Sequence, residues 1–129
     1  MNKIALATLG IAIAGSVGAL ARFGIGIVVN KYIPIGFPVG TLIINLAGAF
    51  CLGYLSSVLG SSPNNPSAEV WRLIIGVGFL GAFTTFSSMM LESDTLMSNG
   101  RFLATAAYLA LSVFLGLLAV RGGVLLGRV

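Results

Sequence analysis

Residues 78–89 read Gly78-Phe79-Leu80-Gly81-Ala82-Phe83-Thr84-Thr85-Phe86-Ser87-Ser88-Met89, which puts two glycines, a threonine pair and a serine pair inside an otherwise apolar stretch. Glycine is permissive and β-branched threonine is no strong helix former, so this is where a helix has grounds to unwind. Freed carbonyls at such a break make a cation site. The alternative is an intact helix whose hydroxyls bond back to i−4 carbonyls. Asn45 adds an amide to another apolar run, four residues after Thr41 and in line with Ala49 and Gly53. A buried amide must find partners or line a wet cavity, and the plainer outcome is an interhelical hydrogen bond worth about 0.6 kcal/mol. Tyr108 and Ser112 share a face of a later run, with Thr105 close by. With Asn45 they form a file of neutral hydrogen-bond donors, which suits a small anion that must enter and also leave. Phe79, Phe83 and Phe86 follow a spacing that ordinarily means packed or lipid-facing bulk, yet a ring edge is positive and can stand in for an anion's hydration.

Other chemistry is excluded by what is missing. The chain has no histidine. Glu92 and Asp94 come only at the far end of the third apolar run, so no titratable group is expected well inside a span. A proton-coupled carrier needs one, and passive conduction is the better reading. Cys51 has no basic neighbour to activate it, and no acid pair or metal motif supports catalysis. The chain is not expected to be an enzyme.

The elements that hold these residues follow from the charges. The 129 residues carry seven Lys/Arg and three Asp/Glu, 8% charged against 57% hydrophobic. A soluble domain is about 25% charged, so this chain cannot clothe a globular surface. Its solvent is lipid. Residues 4–21, 32–68, 73–91 and 102–120 hold no formal charge. A spanning helix needs about 20 apolar residues, so four crossings follow. Pro34, Gly36 and Pro38 break the first connection, the run from Gly60 to Ser67 reads as a surface turn, and Ser98-Asn99-Gly100-Arg101 joins the last two spans. Trp71 and Arg72 suit the membrane interface. Helices are predicted near 4–29, 39–60, 70–97 and 101–126, as one four-helix transmembrane domain over 1–129. The first apolar run continues past a cleavage-like Ala14-Gly15-Ser16, which argues for a span rather than a signal peptide.

With four crossings, Lys3, Arg72 and Arg128 share one side, joined by Arg121 if it lies outside the fourth helix; Arg22, Lys31 and Arg101 take the other. Orientation follows Lys/Arg excess, and here that excess is near zero. Either topology should insert, and a population facing both ways can form antiparallel homodimers. Stripes of small residues, Ala49-Gly53-Ser57 and Ala104-Ser112-Gly116, predict close helix packing.

Gly18-Ala19-Leu20-Ala21-Arg22, Gly40-Thr41-Leu42-Ile43-Ile44-Asn45 and Gly78-Phe79-Leu80-Gly81 with Thr84-Thr85-Phe86-Ser87 resemble the Fluc (CrcB) fluoride channels of microbes, over all four spans. The resemblance implies a multi-pass protein of the plasma (inner) membrane: an antiparallel dual-topology dimer with two fluoride pores. It also implies a structural sodium ion at the dimer centre, held by main-chain carbonyls of Gly81 and Thr84 where the third helix breaks mid-membrane. Asn45 matches the pore asparagine and Phe86 the first of two paired rings. Tyr108, Ser112 and Thr41 match the polar route, Arg22 the pore mouth and Glu92 an acidic position at one end. The second ring position is Met89, polarizable and of similar bulk but without an aromatic edge. Gly116 stands where a further small hydroxyl is expected. The rival readings are a small multidrug-type exporter, which wants a glutamate absent from residues 4–21, and an accessory membrane subunit.

Overall fold

The computed structural model describes residues 2–60 and 65–129, all in helices and short connections with no strand among them. Helix α1 spans Lys3–Tyr32, with the Asn2 side chain accepting from the Ile4 amide at 2.7 Å as its cap. It outruns the predicted end at 29 because proline restrains only the residue before it, Ile33. Helix α2 spans Val39–Gly60. The third crossing is composite. Short α3 (Pro66–Trp71) runs into a π-helical segment, Arg72–Leu80, then α4 (Gly81–Phe83), a break, and α5 (Phe86–Ser98). It begins earlier than predicted: Asn65 caps it by accepting from the Ser67 amide, and Pro66 takes the first turn, where its missing N–H costs nothing. The predicted surface turn therefore loses Pro66 and Ser67 to helix, while 61–64 lie outside the described residues. Helix α6 spans Phe102–Leu126. The α5–α6 turn is a Schellman closure, with Gly100 at φ 73°, its amide on the Met97 carbonyl and the Arg101 amide on the Leu96 carbonyl.

Four stretches, Lys3–Tyr32, Val39–Gly60, Pro66–Ser98 and Phe102–Leu126, are long and apolar enough to cross a membrane. Large apolar side chains such as Leu103, Phe114 and Leu117 are exposed along them, as lipid-facing surface must be. The chain is a multi-pass membrane protein.

Two packed pairs build the bundle: α1 against the π-helical segment and α4, and α2 along α6, with α5 crossing to α6 after the break. Small residues set both contacts. A side chain at Gly18 would run into the Phe79 carbonyl oxygen, and one at Gly53 into that of Val120. At Gly123 it would meet the Phe50 carbonyl oxygen, with the Tyr54 nitrogen 2.7 Å away. The α2 stripe through Gly53 and Ser57 thus packs closely, and its partner on α6 is the stretch from Val120 through Gly123 to Gly127. Gly116 has open space in front of it. Because main chain cannot step aside as a side-chain tip can, Gly123→Ala should cost about 1–3 kcal/mol in detergent unfolding, the usual range for overpacking. Gly24→Ala, where nothing lies within 4 Å, should be neutral or mildly stabilising.

Candidate ion pathway

The break is two residues long. Thr84 (φ −79°, ψ 158°) and Thr85 (φ −151°, ψ 114°) are both extended, a conformation that β-branched side chains accept readily. Thr85 then restarts the helix as its N-cap, its hydroxyl oxygen accepting from the Ser88 amide at 3.1 Å. The unwinding leaves main-chain groups of Thr85 without helical partners, and Asn45 takes them up. Its Oδ1 accepts from the Thr85 N–H at 2.8 Å, and its Nδ2 donates to the Thr85 carbonyl at 3.1 Å. One amide side chain on α2 thus does for Thr85 what a neighbouring peptide unit would do. Asn45 thus makes the interhelical bond that the sequence offered as one alternative, and it also lines a cavity.

Two cavities flank this clamp, and Thr85 lines both. The first, about 440 Å³, is lined by Asn45, Phe86, Met89 and Ser112 together with Gly81 and Thr84. Phe86 is 71% exposed, its ring on the outer surface of the chain beside the break. Met89 is buried against Leu96 and Tyr108, so it forms a wall. The Ser112 hydroxyl oxygen is buried and has no hydrogen-bond partner among the described residues. The second cavity, about 390 Å³, is more polar and brings Arg22 to the same space as Thr41 and Glu92, with Asn30 and Ser88.

Glu92 is the centre of that second end. Its two carboxylate oxygens accept from Thr41 Oγ1 at 2.6 Å and Tyr108 Oη at 2.7 Å, joining α2, α5 and α6. Tyr108 is fully buried and lines neither cavity, reaching the second through Glu92 and packing on Met89, which lines the first. Glu92 lies six residues before the end of the third crossing, at its far end as expected, and is partly buried among three helices. One expectation is corrected: Thr105 is not in the file, since its hydroxyl bonds back to the Arg101 carbonyl at 3.1 Å. The phenylalanine spacing is also cut by the break. Phe79 and Phe83 stack at 5.7 Å, with Phe83 buried, whereas Phe86 alone faces the first cavity.

In a continuous helix the carbonyls of Gly81 and Thr84 would receive the amides of Thr85 and Ser88, and those amides go to Asn45 and to the Thr85 hydroxyl instead. No group of three His, Cys, Asp or Glu side chains able to hold a metal occurs among the described residues. Uncharged main-chain oxygens fit a weakly charged hard cation, not a transition metal.

Thr85 and Ser88 are the residues the sequence reading missed. The signal was present for Thr85: threonine is a preferred helix N-cap, and this one stands next to a suspected break.

Comparison with known proteins extends over nearly the whole chain. The fluoride-specific ion channel FluC of Caulobacter vibrioides is 38% identical over 128 residues, 99% of this chain and 97% of that protein. FluC 2 of Geobacillus kaustophilus is 42% identical over 116 residues, 89% of this chain and 88% of its own. FluC of a Hydrogenobaculum species is 39% identical over 123 residues, covering 92% and 95%. The family model for CrcB-like protein, Camphor Resistance (CrcB), matches residues 9–124, and with that match and those relatives this chain belongs to the CrcB family.

Proposed function

We propose that the chain is a fluoride-selective passive channel of a microbial inner membrane. It works as an antiparallel dual-topology homodimer with two pores, exporting cytoplasmic fluoride. Hydrogen fluoride crosses lipid uncharged, dissociates at cytoplasmic pH and leaves the anion trapped; a pore lets it leave down the membrane potential. The observation that carries the reading is the Ser112 hydroxyl, buried and unpaired at the wall of the cavity that Asn45 and Phe86 also line. A buried donor without an acceptor calls for an explanation, and a passing anion is an acceptor. The relatives named as fluoride-specific channels say which anion.

The residues divide the work. Arg22 draws anions to the second cavity, which Thr41 and Glu92 also line, with Glu92 accepting from the Thr41 hydroxyl there and from the Tyr108 hydroxyl behind it. An anion arriving there takes over a donor that the carboxylate was using, and the carboxylate's return to that donor helps release it. Beyond the Asn45 clamp, Ser112 donates and Phe86 offers a ring edge, with Met89 as wall. A second copy covers the face of Phe86 and Gly81, a reading supported by their exposure in the single chain. Sodium held there by the Gly81 and Thr84 carbonyls of both subunits would supply fixed positive charge beside the pores.

Purified protein in sodium-loaded liposomes should release fluoride far faster than chloride. Release no faster than the chloride leak would overturn the assignment. The multidrug-type exporter has no first-span glutamate to stand on, and an accessory subunit would conduct nothing.

A further inference from the structure

The connection between α1 and α2, residues 33–38, lies over the Tyr108 end of the route. Two anchors hold it. Arg101, whose main chain is fixed by the Schellman closure, donates from Nη1 to the Gly36 carbonyl. Gly36 itself sits at φ 65°, where a side chain would be strained, so the chain can turn its carbonyl toward Arg101. The next residue, Phe37, sets its ring edge-to-face with Tyr108, centroids 5.4 Å apart at 77°. Pro34 and Pro38 bracket the turn, and the Val39 amide closes onto the Phe37 carbonyl at 2.8 Å.

We propose that residues 33–38 are a cap that keeps water from reaching Tyr108 from behind, with Phe37 and Arg101 as positioning residues for the ion route. The inference rests on the channel reading only for its functional consequence. Tyr108 is 0% exposed, and Phe37 is the aromatic side chain of the connection that packs on it. Its hydroxyl is spent on Glu92, so the Thr41–Glu92–Tyr108 cluster is open to ions from one side, that of Arg22, Asn30 and Ser88. A second water path behind Tyr108 would keep those hydroxyls hydrated. Dry, oriented donors are what a strongly hydrated anion such as fluoride needs in exchange for its own water. Opening the cap therefore lowers fluoride flux relative to chloride.

The test uses Ser93→Cys in a Cys51→Ser background. Ser93 is buried at 6% exposure on the α5 face between Met89 and Leu96, the two residues packed on Tyr108. With the cap intact, a water-soluble charged thiol reagent should label this cysteine slowly. Adding Phe37→Ala should raise the rate about tenfold or more, and Phe37→Leu or Phe37→Tyr should hold it near the starting value. Arg101→Met, which keeps length and loses the donor, should act in the same direction as Phe37→Ala. It carries the comparison should the alanine variant not be monodisperse. In liposomes the two opened variants should lose fluoride-over-chloride preference, and the conservative ones should retain it. Rapid labelling with the native loop, or a rate unmoved by both Phe37→Ala and Arg101→Met, would overturn the cap. A parent protein without fluoride flux would overturn the functional reading, and the labelling rates alone would then decide the cap.

Discussion

Asn45→Leu should abolish fluoride flux and destabilise the chain together. The substitution strips both partners from Thr85, whose main chain is buried at the break. Each buried polar group left unsatisfied costs roughly 1–3 kcal/mol, and two of them are a large share of the stability of a small protein. Without the clamp, residues 84–85 have reason to rewind into helix. That would withdraw the Gly81 and Thr84 carbonyls into the helical ladder and move Thr85, which lines both cavities. Asn45→Asp separates the contributions. It keeps the acceptor for the Thr85 N–H but sets a carboxylate against the Thr85 carbonyl, so flux should be lost at neutral pH and partly recover as the carboxyl protonates and donates. Unfolding in detergent and flux in liposomes read the two effects. An Asn45→Leu protein as stable as the parent would mean that Asn45 is a donor to the ion and not a clamp on the main chain.

How far the fold could be read from the residues depends on which force sets each feature. The four crossings were legible because lipid leaves no alternative for long uncharged runs, and the sparse charges mark their ends. The break was half legible. Gly81, Thr84 and Thr85 signalled weakness in the helix, but its site depends on where Asn45, forty residues earlier, lands beside it. Pairing of helices was less legible still. Small residues occur on both the Gly116 and the Gly123 faces of α6, and only the register against Phe50 and Tyr54 selects the second. Glu92 shows the same limit. Along the sequence it sits toward the end of a span, and nothing local says that Thr41 and Tyr108, on two other helices, share its carboxylate. The cap behind Tyr108 had no local signal, since Arg101 and Gly36 are 65 residues apart and meet only through the turn geometry at each.

Phe86→Ile should show the opposite combination to Asn45→Leu, a loss of flux of about tenfold or more with the folded chain unharmed. Tenfold corresponds to about 1.4 kcal/mol on the barrier, within reach of a single lost ring-edge contact to an anion in a low-dielectric pocket. Stability should hold because Phe86 is 71% exposed, with little packing within its own chain, and substitutions at such positions usually stay within about 0.5 kcal/mol. Isoleucine keeps the apolar bulk beside Met89 and Ser112, so the cavity wall survives while the positive ring edge is removed. The outcome also bears on Met89, which already lacks such an edge. If Phe86→Ile conducts normally, the cavity needs only apolar walls and the donors Asn45 and Ser112 carry the selectivity. If flux falls while thermal unfolding and size-exclusion profiles stay with the parent, the ring edge itself contacts the ion, and this route works with one edge where two would fit. A Phe86→Ile protein that loses its oligomer would instead assign the exposed ring to the contact between two copies.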